Sequence, residues 1–240
     1  MRIVAIDPGA TGAIAVFEEG VPTALYDMPT YNIKMATPKY RKQRGGGFKL
    51  DADGKRIRYY PERTVVCPVL LSSIVGDASV LGGGRDPSDT LVVLEKVEAR
   101  GKDGAVGAFK FGQAYAYIES AILAHGFVPT HVLPAAWKKE LSIDIANKKA
   151  GLHMARAMYG QVCDIGAEKN DGRADALLIG LFAERKLAMA NAGGSAWPPV
   201  NQPRQDHLKA QLDLAHHARM AQIDSAIIAR PQYDLARSAG

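Results

Sequence analysis

Arg2-Ile3-Val4-Ala5-Ile6-Asp7-Pro8-Gly9-Ala10-Thr11-Gly12-Ala13-Ile14-Ala15-Val16-Phe17 carries two apolar runs around a turn, and the topology of the chain follows from it. Its first five residues form a β-rich apolar run that stops at an acid followed by Pro-Gly, a turn signal. Thr11-Gly12 prolongs the turn, and residues 13–17 read as a second strand returning antiparallel. Glu18-Glu19-Gly20 is a tight turn, and residues 24–27 predict a third strand. The chain therefore begins with a β-meander and not with a βαβ unit.

Outward from the meander, residues 29–61 are polar, basic and broken by Gly45-Gly46-Gly47. They predict an insertion with a hairpin around residues 48–60, mobile without a partner. Residues 65–75 predict a helix packed on the sheet. Gly82-Gly83-Gly84 and Pro87 lead into a buried strand, 90–94, which ends at Glu95. Apolar residues recur at helical spacing over 109–125, residues 127–133 predict another strand, and 147–159 and 171–190 predict two more helices. Leu177, Leu178, Leu181 and Phe182 form the buried stripe of the last. Gly193-Gly194-Ser195 and Pro198-Pro199 interrupt the chain before helical periodicity resumes over 206–230 through Leu208, Leu212, Ile223 and Ile227. The plan is one α/β domain over 1–190 with a basic insertion at about 29–63, a Gly/Pro linker at 191–204, and a helical tail at 205–240. No repeat at solenoid period is present.

Composition narrows the class. With 240 residues, 47% hydrophobic and 23% charged, the chain can bury a substantial core and is not disordered overall. Its apolar runs fall far short of the roughly 18 residues a membrane span needs. The start turns acidic at Asp7, too soon for a secretory signal. Two cysteines, Cys67 and Cys163, exclude a disulfide framework and a cysteine zinc cluster, so a reducing compartment is expected. His125, His131, His153, His207, His216 and His217 lack zinc spacing. The net charge is +5, yet between Lys34 and Arg63 ten cations face three carboxylates, a balance of +7. The remainder is slightly acidic.

Carboxylates stand at the ends of elements. Asp7 closes the first strand, Glu95 closes the strand over 90–94, and Asp171 and Asp175 begin the last domain helix, four apart and hence on one face. Asp7 before Pro-Gly also suits a turn, Asp171 an N-cap, and Asp175 a first-turn acid complementing the helix dipole. Glu95 has the least structural reason to exist, since it ends a buried apolar run and demands a partner such as Lys96, Lys110 or a metal ion. Four carboxylates meeting at one sheet edge would repel one another unless a hard divalent cation neutralised them. Two such ions, about 3.5–4 Å apart, suit phosphodiester cleavage. No Walker loop, nucleophile elbow or Cys-His pair offers other chemistry.

With these residues in view, the sequence resembles the RuvC-type crossover-junction endonucleases of the ribonuclease H-like superfamily, in their phage and bacterial branch. The resemblance lies in Ile3-Val4-Ala5-Ile6-Asp7-Pro8-Gly9 with Thr11-Gly12, Leu94-Glu95-Lys96-Val97, Phe109-Lys110-Phe111-Gly112-Gln113, Leu133-Pro134-Ala135-Ala136-Trp137-Lys138-Lys139, and Asp171-Gly172-Arg173-Ala174-Asp175-Ala176-Leu177. It implies an α/β fold with a twisted mixed sheet of about five strands, the first three antiparallel, flanked by helices. It implies Mg²⁺- or Mn²⁺-dependent cleavage of branched DNA, four-way (Holliday) junctions above all, by a cytoplasmic homodimer of a bacterial cell or phage-infected host. That is a hydrolase of DNA recombination and repair, with two ions per active site. By position Asp7, Glu95 and Asp175 are metal ligands and Asp171 the fourth. The family's best-known members space the last two positions three apart, whereas here they are four apart. Lys110 and Lys138 match DNA-contacting basic positions. The stretch 34–63 and the helix after Pro199 have no counterpart in the family's short forms.

Other readings stay open at the level of sequence: a nuclease for flaps or other branched DNA, a non-catalytic junction-binding module, and an actin- or sugar-kinase-type ATPase. The last kind repeats its fold, which this chain does not. Phe109 and Phe111 flank Lys110 and read either as core or dimer contacts or, for one of them, as a wedge against unstacked bases. In the basic stretch, Tyr31, Tyr40, Phe48, Tyr59 and Tyr60 interleave with cations. A charge run is often a solvated loop, but this mixture suits a backbone-tracking DNA arm with aromatic platforms, contacting phosphates through Lys39, Arg41, Lys42 and Arg44.

Overall fold

Strand β1 (Arg2–Asp7) runs through the middle of a five-stranded sheet. β2 (Ala13–Glu18) pairs antiparallel with it from Arg2↔Glu18 to Asp7↔Ala13, and β3 (Val21–Asp27) pairs antiparallel with β2. On its other side β1 meets β8 (Thr90–Glu95) in parallel, Ile6 opposite Leu94, and β9 (Thr130–Val132) continues parallel to β8. The order β3-β2-β1-β8-β9, with three antiparallel strands followed by parallel ones, is the expected ribonuclease H-like α/β class. The structure, a computed structural model, describes residues 1–82, 86–98, 104–166, 171–195 and 197. These lie in a unit running from Met1 to Pro198, and the sequence-predicted tail at 205–240 falls outside the described residues.

Both faces of the sheet are covered, which explains why β1 and β2 are apolar without alternation. Val4, Ile6, Ile14, Val16, Val92 and Leu94 pack against α1 (Pro68–Val75) and α2 (Ala105–Ala124). Ile3, Ala5, Ala13, Ala15, Phe17 and Val93 face α3 (Pro134–Glu140), α4 (Ala150–Tyr159) and α5 (Asp171–Asn191). α5 crosses so close to β2 that a Cβ on Gly180 would stand 2.2 Å from Phe17 Cε2. A glycine inside a helix costs roughly 0.5–1 kcal/mol relative to alanine, and here that cost accompanies a close approach of the buried face of α5 to β2.

Three sequence readings need correction. The helix expected over 65–75 begins only at Pro68, because residues 62–66 form β7 (Glu62–Val66). Proline at the first helical position marks this start. A hairpin forms within residues 48–60 as expected, with Leu50 bridged to Arg56 and the Ile57 N–H donating to the Lys49 carbonyl, but the insertion is paired far beyond it. It is a ribbon in which β4 (Thr30–Lys34) pairs with β7 from Thr30↔Val66 to Lys34↔Glu62 and, farther out, β5 (Lys39–Tyr40) pairs with β6 (Arg58–Tyr59). The strand read over 127–133 shortens to β9, after which Pro134 opens α3, a helix that sequence reading left unassigned. Cys67 and Cys163 are free, as expected. No described helix is long and apolar enough to cross a membrane.

Candidate active site

Period-two alternation decides which way the two strand-ending carboxylates face. Ile3 and Ala5 lie on the α5 side of β1, so Asp7 continues that side; Val93 lies on the same side of β8, so Glu95 continues it too. Parallel pairing that sets Ile6 against Leu94 brings the two acids to one edge of the sheet. α5 arrives there with its first turn. A Cβ on Gly172 would stand 2.0 Å from the Thr11 carbonyl oxygen, so this glycine lets the helix rest directly on the turn that follows Asp7. Arg173 ties the first turn of α5 to the end of β3, donating to both carboxylate oxygens of Asp27 at 2.6 and 2.8 Å, and it also donates to the Asp164 carbonyl at 2.6 Å. Bidentate geometry of this kind fixes orientation as well as position.

The result is an electrostatic cluster of Asp7, Glu95, Asp171 and Asp175, the four acids singled out in the sequence. Desolvation raises the Asp7 carboxyl well above the ordinary carboxylate range, and Glu95, Asp175 and Asp171 add repulsion in that order. Asp175 is pushed up to about 6, first by burial, with Glu95 and Asp171 adding to it and Lys138 opposing. The Lys138 ammonium stands 3.8 Å from Asp175 Oδ2 and 4.8 Å from the centre of the Trp137 ring. Asp171, Asp175, Lys138, Lys148 and Gly151 line one groove of about 220 Å³. Asp171 is exposed at its rim, whereas Glu95 is buried.

Glu95 finds a partner other than those expected. Trp137, fully buried on α3, donates its indole N–H to Glu95 Oε1 at 2.9 Å. Lys96 instead meets Glu98 at 3.5 Å. Trp137 and Arg173 are thus the positioning residues that sequence reasoning missed. The signal for Trp137 was an apolar ring with one polar tip on a short helix next to Lys138, since such rings seek an acceptor when buried.

The donor set fits a hard divalent cation: oxygen ligands only, mutually repelling, with one carboxylate oriented by a hydrogen bond. Among the described residues, no three acidic, imidazole or thiol side chains stand close enough together to make a ready coordination shell.

The remaining sequence-predicted residues lie elsewhere. Lys110 and Phe111 sit on α2 beside the loop after Asp7, where Phe111 Cε2 would lie 3.5 Å from a Cβ on Gly9. Phe109 points outward and is 74% exposed, so it is not a core residue. Lys39, Arg41, Lys42 and Arg44 occupy the outer ribbon, all exposed. Several ribbon aromatics are already engaged: Arg56 lies 4.4 Å from the Phe48 ring centre and 5.9 Å from that of Tyr40, and Arg41 5.8 Å from that of Tyr59. Each such contact at an exposed site contributes about 0.5–1 kcal/mol, so these rings stiffen the ribbon. Tyr31 and Tyr60 remain exposed.

The sequence matches no protein-family model and no curated protein. Among solved structures, the chain is similar to Thermus thermophilus RuvC, at 16% identity and a TM-score of 0.43, over 79% of this chain and 97% of that one. It is similar to the same organism's RuvC in complex with Holliday junction substrate, at 15% identity and a TM-score of 0.42, over 79% and 96%.

Proposed function

We propose that the protein is a divalent-metal-dependent endonuclease that cuts branched DNA, four-way junctions first. The observation that carries this reading is the convergence of Asp7, Glu95, Asp171 and Asp175 from β1, β8 and α5 on one sheet edge, where burial first, and repulsion among the acids after it, raises the carboxyls of Asp7 and Asp175. Asp7, Glu95 and Asp175 would hold Mg²⁺ or Mn²⁺, with the exposed Asp171 as an outer ligand. Bound there, the ions would supply charge neutralisation at the scissile phosphate and a water of lowered pKa.

The chain's own groups do the rest. Trp137 holds Glu95 in one orientation through its indole N–H. Arg173 fixes the first turn of α5 and so the distance of Asp171 and Asp175 from the strands. Lys138 balances negative charge in the groove until substrate arrives and then offers its ammonium to a backbone phosphate. Phe109, exposed beside Lys110, would press on unstacked bases at a crossover, a role its exposure supports. Symmetric cuts in two strands of a junction need two active sites facing one substrate, which a homodimer supplies.

Nicking of end-labelled four-way junctions, flaps and linear duplex, with Mg²⁺ and with chelator, tests the reading. Mg²⁺-dependent cuts concentrated at the junction are expected. Equal cutting of flaps would widen the substrate class to branched DNA at large, and nucleotide hydrolysis with no nicking would overturn the assignment in favour of an ATPase.

A further inference from the structure

Between the root of the ribbon and α2 lies a groove of about 190 Å³ that belongs to neither the carboxylate cluster nor the ribbon tip. One wall is β7, contributing Arg63 to Val66; the other is a face of α2 on which Gly107, Lys110, Ala114 and Tyr117 recur at three- and four-residue spacing. Its floor reaches Ala10, three residues beyond Asp7. No carboxylate lines it, and its two cations, Arg63 and Lys110, make no ion pair among the described residues. Arg63 Nε is buried and has no hydrogen-bond partner among the described residues. A buried, orphaned guanidinium donor is rare in native proteins and calls for an explanation.

We infer that this groove is a phosphate-binding site, formed by Arg63 and Lys110, that seats a backbone phosphate of bound nucleic acid beside the loop that carries Asp7. The inference rests on the nucleic-acid reading above. A guanidinium fork matches phosphate oxygens in the plane and Lys110 adds a point charge. The volume falls below the roughly 300–1,000 Å³ of small-molecule pockets, so it admits a phosphate group but not a whole nucleotide. At the junction of ribbon and α2, such a contact ties the cationic ribbon to the cutting face and sets how the backbone passes it. Half-buried Arg63 would otherwise be only a packing stem whose charge is idle.

The test uses the full chain and Arg63→Gln and Arg63→Lys variants. It measures affinity for a four-way junction and for plain duplex across a salt series in chelator, with Tm and with calorimetric titration of inorganic phosphate. Arg63→Gln should weaken both DNAs about tenfold and flatten the slope of log affinity against log salt by about 0.9, at unchanged Tm. Arg63→Lys should regain the slope and only part of the affinity, because an ammonium cannot reproduce the fork. An unchanged slope in Arg63→Gln, with or without a lower Tm, would overturn the site and leave Arg63 structural. Phosphate binding that disappears in Arg63→Gln while the DNA slope stays put would assign the groove to free phosphate and overturn the backbone assignment. If the wild type binds DNA with an Arg63-dependent slope yet never nicks it, the phosphate site stands and the nuclease reading falls.

Discussion

Asp175→Asn should make the metal-free protein more stable at neutral pH while removing its cleavage. In the fold, burial lifts the Asp175 carboxyl from 3.8 to about 6, Glu95 and Asp171 adding to the rise and Lys138 opposing it. For an acid raised on folding, the favourable contribution is fully present below its unfolded value and is lost as pH climbs through the folded value. The metal-free wild type therefore loses stability between about pH 4 and pH 6 from this group, and an uncharged Asn escapes that loss. A shift of roughly two pH units corresponds to about 3 kcal/mol. The side chain is 24% exposed, so its charge is partly screened, and giving up the ion pair with Lys138 offsets some of the gain. The net gain expected is roughly 1–2 kcal/mol. For a domain of this size, about 2–4 °C of Tm accompanies each kcal/mol, so the variant should melt about 2–8 °C above wild type. Thermal denaturation followed by circular dichroism in chelator, at about pH 4.5 and about pH 7.5, reads the difference, which should be roughly a third as large at the lower pH. Added Mg²⁺ should raise the wild type more than the variant, because ligand binding stabilises only the form that binds it. An Asp175→Asn protein that melts below wild type at neutral pH without metal would show that the buried carboxylate is not destabilising, as would an equal gain at both pH values.

Asp7→Asn and Glu95→Gln should abolish nicking while junction affinity in a gel-shift assay holds or tightens, since removing a ligand charge also removes repulsion of phosphates; Asp171→Asn should lose less, in keeping with its exposure. Trp137→Phe should cost about 1.5–3 kcal/mol by chemical denaturation, the worth of a hydrogen bond to a charged group, and should raise the Mg²⁺ concentration needed for half-maximal cleavage. Phe109→Ala should lose junction cleavage at unchanged Tm, whereas Phe111→Ala should lower Tm because its ring rests on the Gly9 loop; a monomeric Phe109→Ala in sedimentation would reassign that ring to a subunit contact. Replacing Lys39, Arg41, Lys42 and Arg44 together by Ala should weaken junction and duplex binding alike and flatten the salt slope by up to about 0.9 for each phosphate no longer neutralised, with little change in rate at saturating DNA; an unchanged slope would leave the ribbon a bystander.

The meander, the strand ending at Glu95 and the helix from Asp171 were legible in the sequence because each carries a local signal: an apolar run bounded by Pro-Gly or a glycine loop, or a buried stripe at helical period. The same signals put acids at the ends of those elements, and a carboxylate closing a buried strand is conspicuous by its cost alone. Of the ribbon over residues 30–66, the hairpin around residues 48–60 was legible, whereas its extension through β4, β5, β6 and β7 was not. Its strands are short, polar and exposed, and they hold through pairing and arginine–aromatic contacts that leave no periodic trace. Nor could one sequence say that Asp7 and Glu95 share the α5 side of the sheet. That follows from the parallel register of β1 and β8, a pairing between segments more than eighty residues apart. Residue types and local order by themselves determined which groups were available for chemistry. Packing in three dimensions was needed to bring the Trp137 indole to Glu95, to admit α5 through Gly172 onto the turn beside Asp7, and to set Arg63 across a groove from Lys110, because each depends on surfaces that are distant in the chain.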